Sequence, residues 1–440
     1  MQRESAATLG TGDARPFFDA SKLENSSWTS PIYDWAFSHP QRLMGVARRL
    51  APVLRCPPWL SWLKFAPGFA WLRWVVVLRY DEVREVLSHS REFPVAWGHR
   101  MIEVTEGQNF VLGMRQDKAY ELSYEQLARA FPREDVRTHV AEASATIAEA
   151  ILAGREMQEF DAVEDLITAV PTRLCESYFG LRIAEKPLFA KWTLAISSYL
   201  FGPSTDATYS ALARAAAEHL RTLIRTSVAD ARSEPKPNTA LQHLIDMSNE
   251  PGSPVTDDVI LGQLFGMVLG FIPTNVLAGG NILETLLRRP DFLERARAAA
   301  VAGDDDMLWR CLREALRFRH INPGPWRLCP NGYVLGSGGP RPIRIPPGSK
   351  VVAIIQSAMF DSRRIERPHV FDPERRDEDY MVFGVGQHWC LGAHIAAAQI
   401  TQTFKPLLRM RRLVAVDSAP VRATRFNNLF PLHLKVRFSA

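Results

Sequence analysis

Two hydrophobic periods organise the chain. Trp74-Val75-Val76-Val77-Leu78 is a β-branched run, and Val83, Val86 and Leu87 in the following segment recur at helical spacing, which predicts a strand feeding a short helix. Pro94 to Gly113 loses both periods to glycine, polar and aromatic residues and reads as a long loop able to cover a pocket. Helices then dominate to about residue 320. Val136, Val140, Ile147 and Ile151 mark one apolar face, and helices over Leu188 to Leu200 and Thr208 to Ser233 flank a turn at Pro203-Ser204-Thr205-Asp206. A long apolar helix runs from Val259 to Arg288. Strand signals return only after Arg327, with a strand at Val351 to Gln356, a proline-punctuated meander at Pro368 to Arg376, a helix from Ala393 to Lys405 and a strand pair from Leu429 to Phe438. The sum is a mainly α fold with a small β portion.

The 440 residues contain no Ser/Gly-rich or charge-block linker, so the chain reads as an N-terminal segment, 1–73, packed on one large domain, 74–440. With 46% apolar and 23% charged residues it can bury a deep core and enclose a cofactor. Five separated cysteines without a CxxC pair suggest neither a disulfide framework nor a zinc site, and fit a reducing cytoplasm. No run reaches the roughly 18 uninterrupted apolar residues of a membrane span, so a transmembrane anchor is not expected. Arg48, Arg49, Arg55 and Lys64 are interleaved with Trp59, Trp62, Trp71 and Trp74, a mixture compatible with peripheral membrane contact or with tryptophans packed inward. A net charge of +5 permits docking of an acidic protein and makes no case for nucleic acid.

The strongest chemical signal is Phe383-Gly384-Val385-Gly386-Gln387-His388-Trp389-Cys390-Leu391-Gly392. Gly384 and Gly386 let the backbone turn tightly against a flat macrocycle, and Gly392 opens a helix whose first amides favour negative charge on the Cys390 sulfur. Phe383 can shield that sulfur from water, and His388 can reach a heme propionate. Upstream, Glu314 and Arg317 stand at i and i+3 on one helical face, and Phe371 and Arg375 lie in the meander between them and Cys390.

On these motifs the chain resembles the cytochrome P-450 superfamily of heme-thiolate oxygenases from about Trp74 to Phe438. The resemblance implies a P-450 fold holding heme b, with Cys390 as the iron ligand. It implies that Glu314, Arg317 and Arg375 or Arg376 buttress the heme-binding core, and that Arg327 and His388 contact propionates. Two positions depart from the family pattern. Where many bacterial members carry a His and an Arg that hold propionates from the other side, this chain has Tyr120 and Tyr124, which can donate hydrogen bonds but carry no charge. In the central helix, where the family places an acid–alcohol pair, the chain reads Gly270-Phe271-Ile272-Pro273-Thr274-Asn275. One register sets Thr274 at the alcohol and Pro273 at the acid; the other sets Pro273 at the alcohol and Ile272 at the acid. Neither supplies an acid.

Pro273 costs a regular helix roughly 3 kcal/mol and predicts a kink or opened turn there. Such an opening can hold water, with Thr274 or Asn275 relaying protons, whereas the plain structural alternative has Thr274 capping a carbonyl. The implied activity is insertion of oxygen into an apolar or amphipathic small molecule, with electrons from a separate ferredoxin or flavoprotein. Substrate is expected against Phe271, Ile272, Asn427, Leu429 and Phe430. The missing acid keeps a peroxygenase or hydroperoxide-rearranging enzyme as a rival. A non-catalytic heme sensor or electron carrier is the alternative from another class.

Overall fold

The computed structural model describes residues 74–201, 207–322, 324–339, 342–416, 421–422 and 431–439, with Phe18, Asp19, Gly45, Arg48, Val53 and Leu54. In chain order the elements are β1 (Val53–Leu54), β2 (Trp74–Val77), α1 (Tyr80–Ser88), α2 (Gly98–Val104), α3 (Lys118–Ala130), a π-helical stretch (Val136–Glu142) running into α4 (Ala143–Leu152), β3 (Phe160–Asp161), a second π-helical stretch (Val163–Thr168) running into α5 (Ala169–Ser177), α6 (Lys186–Phe201), α7 (Ala207–Ser233) and α8 (Ala240–Ser248). There follow α9 (Asp257–Leu287), α10 (Pro290–Ala302), α11 (Asp305–Phe318), β4 (Trp326–Cys329), β5 (Tyr333–Leu335), β6 (Ile343–Ile345), β7 (Ser349–Ala353), α12 (Ile355–Ala358), α13 (Ala393–Arg409), β8 (Arg411–Ala415), β9 (Val421–Arg422), β10 (Pro431–His433) and β11 (Lys435–Ser439).

The largest sheet runs in the order β1-β2-β7-β4. Its β-branched inner face is the one the sequence pattern implies, with Val75, Val77, Val351 and Ala353 all buried. Beside β1, Arg48 also ties to this body: it is buried and donates to the Ser357 and Phe360 carbonyls. The centre of the fold is α9, apolar on every side and therefore surrounded, with α5, α6, α7, α8, α10, α11 and α13 all packing against it. It is long and apolar enough to cross a membrane by length and composition, yet 83% of its most apolar window is buried inside the protein.

Several sequence expectations shift. The Pro94–Gly113 stretch is not all loop, because Met101 and Val104 are buried and hold α2 in place. The strand expected over 351–356 stops at Ala353, and α12 begins at Ile355. The helix expected to stop before Pro406 continues to Arg409, since a proline removes one N–H and Leu407 and Leu408 are fully packed. The terminal strands do not pair with each other: β10 pairs with β9, and β11 lies between β3 and β8. Asn427, Leu429, Phe430 and the turn at Pro203 lie outside the described residues.

Candidate active site

The Cys390 loop is built by backbone bonds that glycine permits. Gly384 and Gly386 adopt φ of +78° and +73°, the left-handed region open to glycine. Gly384 N–H donates to Met381 O (2.9 Å), Trp389 N–H to Gly386 O (3.0 Å) and Cys390 N–H to Phe383 O (2.9 Å), so the cysteine closes the loop just before α13. A Cβ on Gly386 would stand 2.9 Å from the Leu87 carbonyl oxygen of α1. Gly386→Ala is therefore expected to cost about 1–3 kcal/mol through left-handed strain and this contact, read as a lower denaturant midpoint.

Burial pushes the Cys390 thiol up to about 11, with the Gly392 N–H pulling weakly the other way. The helix start alone thus does not ionise the sulfur. A metal cation bonded to it would, since a coordinating thiol is deprotonated outright. Phe383, which lines the same cavity, lies with its ring 6.1 Å from that of Trp309 and 6.4 Å from that of Trp389.

Across the cavity stands α9. At about 100° per residue, Gly270, Phe271, Thr274, Asn275 and Ala278 share the face toward Cys390, while Ile272, Pro273 and Val276 face a different cavity on the far side. This corrects the expectation for Ile272 as a substrate contact and for Pro273 as part of the catalytic group. The helix also runs unbroken across Pro273. Thr274 Oγ1 donates to the Gly270 and Phe271 carbonyls, and Asn275 Nδ2 donates to the Phe271 carbonyl (2.8 Å). These side chains hold the turn that a missing N–H would open. Sequence reasoning missed Met267 and Phe110 to Leu112 as individual lining residues, as well as Phe201, Trp309 and Ile321. Only Met267 was accessible by counting, one helical turn before Phe271.

Close enough to His388 for its charge to act on that ring, Arg327 on β4 is 5% exposed, donates to the Trp326 carbonyl (3.1 Å) and lies over the Trp97 ring (5.3 Å). It has no carboxylate partner among the described residues, and desolvation depresses it to about 10. His388 is held down to about 4 by burial and then by the Arg327 charge. A buried guanidinium with no carboxylate partner among the described residues, beside a half-buried imidazole, fits a cofactor that brings its own carboxylates. Tyr120 is otherwise engaged than expected, because its hydroxyl donates to the Gln387 carbonyl (2.8 Å) and braces the loop. Tyr124 also lines the cavity, with its ring 6.1 Å from that of Tyr120.

Behind the loop, Glu314 and Arg317 are fully buried and joined by two bonds of 2.8 Å. Arg317 also donates to the Met359 and Pro368 carbonyls, and Glu314 accepts from Tyr380 Oη and Asp372 N–H. Arg375 Nε lies 3.6 Å from Glu314, whereas Arg376 is on the surface and pairs with Asp379. A buried ionic cluster thus joins α11 to the meander that leads into the Cys390 loop.

The fold has known counterparts. The family model for cytochrome P450 matches residues 69–423. The chain belongs to the cytochrome P450 family. This P450 is 29% identical over 212 residues to the putative cytochrome P450 137 of Mycobacterium tuberculosis, a match spanning 46% of this chain and 44% of that relative's own length. It is 25% identical to cytochrome P450 monooxygenase PikC of Streptomyces venezuelae, over 79% of this chain and 80% of that one. Among solved structures, CYP109E1 of Bacillus megaterium in complex with testosterone matches with a TM-score of 0.75 at 20% identity, covering 92% of this chain and 100% of that one. The cofactor of a P450 is heme b, and the cavity between α9 and Cys390, with its uncompensated Arg327 and His388, suits it.

Proposed function

We propose that this P450 is a monooxygenase acting on an uncharged apolar organic molecule, with Cys390 as the iron ligand and electrons from a separate ferredoxin or flavoprotein. The carrying observation is one cavity with the Cys390 sulfur on one wall and Thr274 and Asn275 on the other. Bound heme supplies oxygen activation, which the thiolate's electron donation assists. Arg327 and His388 would hold its propionates, with Tyr124 at the same edge, while Phe383 and Gly384 shape the sulfur side and Gly392 donates to the sulfur. Glu314, Arg317 and Arg375 keep the meander and the loop in place. An N-terminal segment packed on the main domain is supported by the Arg48 bond to the Ser357 carbonyl and by β1 paired with β2.

No Lys, Arg, Asp or Glu lines this cavity among the described residues. With Arg327 beside the cavity taken up by the propionates in this reading, a substrate carboxylate has no lining cation to pair with, which favours a neutral apolar substrate over a fatty acid or a hydroperoxide acid. CYP109E1, solved with testosterone, supports that class by analogy. It also favours the dioxygen reading over the peroxide-rearranging one. A pure electron carrier would need a second protein ligand on the iron, and on the α9 wall, among the described residues, only the Met267 thioether is of that type, a helical turn before Phe271.

Thr274 has given its proton to helix carbonyls and so faces the cavity as an acceptor, able to orient a water that donates. Asn275, with Nδ2 committed, offers Oδ1 in the same way. Thr274→Ala is expected to lower product formed per electron supplied by about tenfold or more, measured with purified donor proteins. Unchanged coupling would remove Thr274 from proton delivery. The donor would dock outside the Cys390 loop, where Trp389 is exposed and Arg133 depresses the pKa of His394 after burial. A cytoplasmic location is consistent with this chemistry.

A further inference from the structure

On the opposite side of α9 from Cys390 lies a second cavity of ≈ 580 Å³, bounded by α4, α5, α6, α9 and β10. Its apolar lining comes from Ile151, Ala190, Leu194, Ile272, Pro273 and Val276. Its charged lining is lopsided. Arg155, Arg173, Lys186 and Lys191 face Glu164 and Asp165. Asp165 is bonded to Arg155 (2.7 Å), Lys186 reaches Glu176 (3.0 Å), and His433 is bonded to Asp161 with Glu164 3.9 Å away. Arg173 is exposed, and no carboxylate or hydrogen-bond partner engages it among the described residues.

We infer that this cavity is a binding site for a single-chain amphiphile with one carboxylate, its headgroup paired with Arg173 and its chain against the Ile272–Pro273–Val276 face. The carboxylate pairs with Arg173, a lining cation that no carboxylate engages among the described residues, and a planar guanidinium binds it through two parallel bonds. The chain covers apolar surface that is otherwise wet. The site differs in kind from the Cys390 cavity, whose described lining holds no charged side chain of the Lys, Arg, Asp or Glu type. The two share one wall, the turn of α9 that carries Thr274 on its other face.

The test is calorimetric titration of the heme-loaded protein with dodecanoate below its micellar concentration, with the iron-side cavity blocked by a phenylimidazole. One dodecanoate site is expected to remain, with dodecanol and dodecyltrimethylammonium binding more weakly. Arg173→Ala, a surface change, is expected to weaken dodecanoate by about tenfold, the loss of one charge-assisted contact. Ala190→Phe should push a ring into the apolar part of the cavity and weaken dodecanoate binding without altering the azole-bound heme spectrum. If that variant does not fold, the Arg173 variant decides alone. The inference is overturned if no heat of binding appears, if the azole abolishes it, if dodecanol binds equally well, or if Arg173→Ala leaves the affinity unchanged.

Discussion

Glu314→Gln is expected to destabilise the protein by roughly 3–5 kcal/mol, the cost of removing one partner from a buried ion pair. The magnitude follows from what is left behind. Arg317 has no exposed surface and Arg375 very little, and Glu314 is the carboxylate that both approach, at 2.8 Å and 3.6 Å. The amide keeps the shape, but its single carbonyl oxygen can accept from only one of Tyr380 Oη and Asp372 N–H, so the loss combines isolated charge with one lost hydrogen bond rather than packing. The same change should lower heme retention, because Arg317 ties α11 to the Met359 and Pro368 carbonyls ahead of the loop. Urea unfolding and the ratio of heme to protein absorbance read the two effects. A loss below about 1 kcal/mol, the range of exposed ion pairs, would mean that the cluster is not what holds the meander.

Cys390→Ser is expected to lower substrate oxidation by at least ~10³-fold, a modest part of the 10⁶-fold or greater acceleration usual for enzymes. The side chains proposed to hold the propionates are elsewhere, on Arg327 and His388, so the variant should still take up heme. Heme content near the parent level with turnover lost separates ligation from folding. Turnover that persists would place the chemistry on another residue.

Much of this was legible in the sequence because it is local. The spacing from Phe383 to Gly392 encodes a loop whose turns need left-handed glycines, and both glycines adopt that conformation. Glu314 and Arg317 are one helical turn apart, so their pairing is fixed by helix geometry, but the choice between Arg375 and Arg376 required the path of the meander. What the sequence hid was rotational. Counting along α9 cannot say which face meets Cys390, and that face excludes Ile272 and Pro273 and includes Met267 and Gly270. The expected opening at Pro273 was likewise a propensity argument, and tertiary packing with two back-bonded side chains overrides it. Tyr120 shows the same limit, for its position was read as a cofactor contact while its hydroxyl bonds a carbonyl of the loop, 267 residues away in sequence.

Burial raises the pKa of the Cys390 thiol, and bonding to heme iron would turn it into the thiolate ligand. The absorption spectrum of the reduced, carbon monoxide-bound protein tests it directly. A red-shifted Soret band of the kind given by a thiolate opposite carbon monoxide, lost in Cys390→Ser, is the predicted result. A Soret band at the position given by a histidine-ligated or free ferrous heme, unchanged by that substitution, would contradict it.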